Sequence, residues 1–172
     1  MSGMLDRAEF DALFGQFEHT AFRLEMREAY NEASEVESLR KFHAGEDDRS
    51  DELRPWLRFI RDTVSAGKRF ERVRVVSLPP SDYTRYGLAG ALINNQAGED
   101  IRYLARDRAG GLPEHDFWLF DSCKLVWMHF DAADGHLMGA EIIEDPAVVV
   151  QHNYWRDLAW HRAVRREEFA IE

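Results

Sequence analysis

The stretch TAFRLEMREAY sets Phe22, Leu24 and Met26 against Arg23, Glu25 and Arg27, a period of two that predicts a β-strand with one apolar and one polar face. The polar face reads as wet, and the strand ends near Tyr30. Ahead of it, Leu5, Phe10, Leu13, Phe14 and Phe17 lie close to helical spacing, with Asp6 placed to cap the first turn. Behind it, Val36, Leu39 and Phe42 predict another short helix, and GEDDRSDE at 45–52 an acidic, solvated connection. Trp56, Leu57, Ile60 and Val64 then recur at helical spacing, with Pro55 suited to the first turn and Gly67 to the stop. RFERVRVVSL follows as a strand, closed by Pro79 and Pro80.

After Ser81, an acceptable N-cap, the positions of Tyr83, Tyr86, Leu88, Leu92 and Ile93 predict a helix that Gly87 and Gly90 weaken by up to ~1 kcal/mol each. Asp100 to Leu104 reads as a short strand and RDRAGGLPEHD as a loop. Three strands follow over 117–121, 124–131 and 136–144, with turn signals at Asp121-Ser122 and Asp134-Gly135. On the first of them, Trp118 and Phe120 share one face and Phe117 and Leu119 the other, so both faces are expected to be buried and the strand central. Beyond Asp145-Pro146, the spacing of Val149, Tyr154, Trp155, Leu158 and Trp160 predicts a closing helix to about Arg165. The expected fold is α/β, with α+β as the variant. It is a single domain over 1–172 with a mixed, partly antiparallel sheet of five to six strands flanked by helices. Residues 1–50 could form a helical cap or N-terminal subdomain.

Composition narrows the class. The chain has 172 residues, 45% hydrophobic and 12% aromatic, enough for one substantial core. A net charge of -10 repels phosphate backbones and anionic lipid, so direct nucleic-acid binding is not expected. Arg69, Arg72, Arg74 and Arg85 crowd one region, which reads as a solvated strand and helix start. The single cysteine, Cys123, forbids an internal disulfide and a multi-cysteine zinc site. The opening MSGMLDRAEF lacks a signal-peptide pattern, and no apolar run is long enough for a membrane helix, so a cytoplasmic protein is expected.

Catalytic signatures are weak. His129, Asp131 and His136 have residue types that suit a metal, but His-x-Asp at a hairpin end reads as a polar face with a turn-capping Asp, and no metal or cofactor is expected. Cys123 beside Lys124 reads as a tolerated turn cysteine. There is no G-x-S-x-G elbow and no glycine-rich phosphate loop. The carboxylates Glu99, Asp100, Asp121 and Glu141 stand near strand ends without a spacing that makes any two converge.

The strings FRLEMREAY, RFERVRVVSLPPSDYTRY, AGEDIRYLAR, DFWLFDSCKLVWMHFDAADG and EDPAVVVQHNYW resemble a bacterial domain-of-unknown-function family from filamentous soil bacteria. That resemblance covers nearly the whole chain and implies genes placed beside helix-turn-helix regulators, hence a regulatory accessory role. The order of RVRVV, FWLFD, a further hydrophobic strand and a DP-initiated helix is similar to half of a phospholipase D-like domain. There the expected H-x-K reads His129-Phe130-Asp131, and His136 stands where an acid belongs, which implies lost catalysis on a kept scaffold.

The sequence therefore points to a non-catalytic cytoplasmic regulatory module that binds a protein partner, such as a DNA-binding regulator, or a small ligand. A homodimer is left open. The alternative is a hydrolase or phosphodiesterase-like enzyme around Arg72, Arg74, Tyr83, Arg85 and Glu99, the polar centre of the family strings. Three or more of those side chains meeting in one pocket would favour the enzyme.

Overall fold

The computed structural model describes residues 3–46 and 54–169; most of the acidic connection GEDDRSDE lies outside them. In chain order the elements are β1 (Met4–Leu5), α1 (Arg7–Gln16), β2 (Thr20–Glu25), α2 (Val36–His43), α3 (Arg54–Ser65), β3 (Arg69–Val76), α4 (Asp82–Ala97) and β4 (Asp100–Ala105). They continue with β5 (Phe117–Phe120), β6 (Lys124–Phe130), β7 (Leu137–Ile143), α5 (Pro146–Arg162) and β8 (Val164–Arg165). One open mixed sheet runs β1-β7-β6-β5-β2-β3-β4-β8. It is an α/β arrangement with eight strands, larger than the five to six expected, because β1 and β8 are two-residue edge strands too short to carry a period.

The capping residues act as the sequence implies. Asp6 accepts from the Glu9 amide while Glu9 returns a bond to the Asp6 amide, a capping box for α1. Ser81 caps α4 through the Thr84 amide, and Asp145 caps α5 just before Pro146. Gly67 takes φ +84° directly after α3, a left-handed stop that a side chain would strain.

Chain direction explains the layers. β2, β3 and β4 are parallel neighbours, so the helical connections between them return over one sheet face, as right-handed crossovers require. That face carries α3 and α4, and α1 joins them: Leu13, Phe17, Leu57, Ile60, Phe70, Trp118 and Phe120 form its main core. The chain then returns to the other side of β2, where β5 pairs antiparallel with it and β6 and β7 follow as a meander. From that edge α5 crosses the opposite face to reach β8 beside β4. Its 17 residues give about 25 Å, roughly five strand spacings. Beneath it pack Phe22, Leu24, Val73, Val75, Phe117, Leu119 and Leu125. β5 is central, and all four of its residues are buried, as its aromatic pattern demands. Residues from 1–50 enter the sheet itself, with β2 between β5 and β3.

Asp121 ties the meander to β2. It and Ser122 turn the chain with φ of 52° and 59°, and its carboxylate accepts the backbone N–H groups of Glu18, His19 and Thr20 at 2.8, 2.7 and 2.9 Å. Partial burial pushes this carboxyl up, but the three donors outweigh it and hold it below the ordinary range. Asp121→Ala loses the acceptors and strains the left-handed turn; we expect a loss of about 2–3 kcal/mol in urea unfolding, and a smaller one for Asp121→Asn, which tolerates that backbone.

Candidate functional site

The polar face of β2 is not wet. Arg23 and Glu25 point to the same side of the sheet as Arg72 and Arg74, because parallel pairing sets Arg23 beside Arg72 and Glu25 beside Arg74. That side is covered by α1, α3 and α4, so the alternation correctly sorted the residues into faces, yet both faces are interior. Glu25 is 6% exposed and Arg72 8%. The reading of Arg72 and Arg74 as part of a solvated strand is corrected: only Arg69 and Arg85 of that group are exposed.

Glu25 is the hub. Its Oε2 accepts from Arg74 Nε at 2.6 Å and its Oε1 from Arg72 Nη1 at 3.0 Å. Arg72 also reaches Glu99, at 2.9 Å from Nε and 2.8 Å from Nη2. Glu99 is fully enclosed and also accepts from Asn94 of α4 at 2.9 Å. Arg74 Nη1 reaches the Gly87 carbonyl at 3.1 Å and the Tyr103 hydroxyl at 3.3 Å. A methyl group on Gly87 would stand 3.0 Å from that nitrogen, so the glycine that weakens α4 in sequence terms lets the guanidinium dock against it. Burial alone would push the Glu25 carboxyl up; the charges of Arg74, Arg23 and Arg72 overcome this and hold it far below the ordinary carboxylate range.

Arg23 differs from its neighbours. Among the described residues its guanidinium makes no hydrogen bond; it is ion-paired at longer range, Nη1 3.4 Å from Glu25 and Nη2 3.6 Å from Asp116, and Nε is sealed without a hydrogen-bond partner. Its central carbon lies 5.4 Å from the centroid of the Tyr30 ring and 5.5 Å from that of Trp118. Asp116, the residue before β5, has its acceptors engaged elsewhere: Met26 N–H at 2.8 Å and the Tyr30 hydroxyl at 2.5 Å. Burial raises the Asp116 carboxyl despite Arg23 and these donors.

Above this layer lies a cavity of about 520 Å³. Arg23, Glu25, Arg72, Arg74 and Trp118 line it from the sheet, Phe10 and Phe14 from α1, Trp56 and Phe59 from α3, and Tyr83 and Gly87 from α4. Asp11, Glu28, Glu32 and Glu35 also line it, as do Arg7 and Arg27. The Tyr83 hydroxyl donates to Glu35 at 2.8 Å. Burial, reinforced by the Glu35 charge, pushes the Tyr83 phenol well above its ordinary value, and burial likewise raises Glu35. Tyr30 is raised in the same way, by burial and then by Asp116.

Of the five residues predicted as a site, Arg72, Arg74 and Tyr83 meet in this cavity. Glu99 supports it from beneath through Arg72, and Arg85 faces solvent away from it. Arg23, Glu25, Tyr30 and Asp116 were missed. The available signal was that β2 and β3 both carry charge on alternate positions in a chain with enough helices to cover both faces.

The remaining candidates do not join the cavity. His129 pairs with Glu141 at 3.2 Å, while Asp131 caps its own turn through the amides of Ala133 and Asp134. Asp131, Asp134 and His136 are close enough to one another to hold a cation, but His129 is not among them. Asp100 pairs with Arg102, and Cys123 sits in an exposed turn. One cluster escaped the sequence reading. His115 stacks on Trp127 with centroids 3.7 Å apart, and its Nε2 lies 2.9 Å from His152 Nε2. His152 Nδ1 donates to Val148 O at 2.7 Å, which leaves its Nε2 to accept from His115. Burial first, then the charges of His152 and His129, lower His115 to about 4; burial also lowers His152.

Residues 8–171 match the family described as a domain of unknown function, DUF6879, and the chain belongs to that family. Nothing among the curated proteins matches it. Among solved structures it is similar to NucT from Helicobacter pylori, at 10% identity and a TM-score of 0.53 over 96% of this chain and 97% of that one, a likeness of fold. No helix among the described residues is long and apolar enough to cross a membrane.

Two predictions follow from these clusters. Glu25→Gln leaves buried guanidinium charge uncompensated and should cost about 3–5 kcal/mol in urea unfolding, part of it recovered when Arg74→Met is added. For the histidines, a folded value near 4 against an ordinary 6.5 means that the unfolded chain binds more protons in that window. Stability is therefore complete above about pH 6.5 and falls as pH drops toward about 4; His115→Phe, which keeps the Trp127 stack, should flatten that fall by roughly 1–2 kcal/mol, measured by urea unfolding across the window.

Proposed function

We propose that this protein is a non-catalytic cytoplasmic regulatory module that binds a small ligand in the cavity over β2, β3 and β5. The gene neighbourhood implied by the family resemblance supplies a DNA-binding regulator as its protein partner. The observation that carries the ligand reading is Arg23: a guanidinium lining a cavity, held by longer ion pairs to Glu25 and Asp116 with none of its donors hydrogen-bonded among the described residues, beside two arginines that donate directly to Glu25. Leaving donors unpaired is costly, and a ligand acceptor relieves that cost.

The convergence of Arg72, Arg74 and Tyr83 favours the second reading, a hydrolase or phosphodiesterase-like enzyme, since three predicted side chains share one cavity. The chemistry of those groups argues against it. Arg72 and Arg74 are occupied by Glu25 and Glu99, and Tyr30 and Tyr83 donate to carboxylates that make these phenols harder to ionise. No histidine or cysteine is among the lining residues, so the hydroxyls there lack a neighbouring imidazole base.

Two measurements separate the readings. Native mass spectrometry of protein purified from its own bacterium should show a retained small molecule, and bis(para-nitrophenyl) phosphate should release no more nitrophenolate than buffer does. A bare chain together with saturable release that Tyr83→Phe abolishes would overturn the binding module in favour of the enzyme.

A further inference from the structure

We propose that the ligand of this cavity is a flat aromatic monocarboxylate, its carboxylate on the Arg23 fork and its ring between the aromatic walls; the inference rests on the binding reading above. Three observations define the class. The first is the donor. A planar guanidinium presents parallel N–H groups that match the two oxygens of a carboxylate, and Arg23, beside the rings of Tyr30 and Trp118, spends none of those groups on a hydrogen bond among the described residues. Its nearest acids are engaged elsewhere, Glu25 with Arg72 and Arg74, and Asp116 with Met26 and Tyr30, so the fork is left for a third acceptor.

The second observation is the wall. Phe14 meets Trp118 edge to face at a centroid distance of 5.0 Å, and Trp56 lies 5.4 Å from Phe59 at a 34° tilt. These rings line the same cavity as Arg23, and Arg23 itself lies over Trp118. A flat ring gains stacking and edge contacts there that an aliphatic chain of equal area does not. The third is the charge of the lining. Asp11, Glu28, Glu32 and Glu35 line the cavity together with Arg7 and Arg27, with Asp11 paired to Arg7 and Glu28 to Arg106, and among the described residues the floor offers no spare cation besides Arg23 for a second negative charge. One guanidinium with donors to give matches one negative charge, and a doubly charged phosphate monoester would carry its second charge in uncompensated. The volume of about 520 Å³ falls within the range of small-molecule sites, roughly 300–1,000 Å³.

The test uses the full chain and four probes, beta-naphthoate, its neutral amide beta-naphthamide, acetate, and beta-naphthyl phosphate, with calorimetry and tryptophan fluorescence as readouts. Naphthoate should bind, and the other three should each bind at least ~10-fold more weakly, lacking in turn the charge, the ring and the single-charge match. Arg23→Gln should lose about 30-fold or more in naphthoate affinity and Arg23→Lys, which keeps charge without the fork, an intermediate amount. Melting curves establish that both variants are folded. Equal binding of naphthoate and naphthamide, or full affinity in folded Arg23→Gln, overturns the assignment. A retained natural ligand that lacks a carboxylate or a ring overturns the class while the cavity reading stands. A chain that retains no small molecule and binds none of the four probes overturns both.

Discussion

One carboxylate governs the interior of this fold. Glu25 stands on β2 directly beside Arg74 and diagonal to Arg72 on β3, with Arg23 two residues away on its own strand. Three guanidinium groups on adjacent central strands would repel one another beneath a layer of helices. Glu25 takes one hydrogen bond from each of the two on β3, and Glu99 at the start of β4 takes up the remaining charge of Arg72. Desolvating so many charges is expensive, and a buried pair is weak evidence of net stabilisation. Its consequence is geometric: the partners must sit at one register, and β2, β3 and α4 are joined through Gly87 and Asn94 as well as by packing.

The same constraint makes the site. Because β2, β3 and β4 are parallel, α3 and α4 lie on one face, and α1 comes to that face from the other side of the chain reversal. The charged side chains of β2 and β3 hold the space between them open, since apolar helix faces gain nothing by packing onto guanidinium groups. The floor of the resulting cavity is therefore ionic and its walls aromatic. Glu25 and Glu99 take the hydrogen bonds of Arg72; Glu25, Gly87 and Tyr103 take those of Arg74; and Asp116 accepts from Tyr30 and Met26, so Arg23 is left with longer ion pairs and no hydrogen bond among the described residues. A structural network and a binding group thus come from one set of residues, separated by which donors are spent.

Much of the architecture was legible from the residues. The Asp6 and Ser81 caps, the stop at Gly67, the closing helix after Asp145-Pro146 and the double-sided burial of Phe117 to Phe120 all follow from local chemistry that tertiary context did not override. The two-residue strands β1 and β8 were invisible because pairing at a sheet edge needs no side-chain period. The site was half legible. Arg72, Arg74 and Tyr83 could be grouped, but Arg23 and Glu25 were assigned to water, since alternation states which residues share a face and not what covers it. Arg85 shares the sequence neighbourhood of the site, yet lies on the solvent side of α4, and the His115–His152 contact joins a loop to a helix with no spacing rule to announce it.

Chemically identical guanidinium groups differ here in how many donors they have spent, and nitrogen-15 NMR of the arginine side chains measures that difference directly. Rotation about the Nε–Cζ bond should be strongly hindered in Arg72, bridged to Glu25 and Glu99, and in Arg74, bridged to Glu25 and α4. Arg23, with no hydrogen bond to hold it, should rotate much faster. Three guanidinium groups rotating alike, whether all locked or all free, would contradict the claim that the network spends two of them and leaves the third for a ligand.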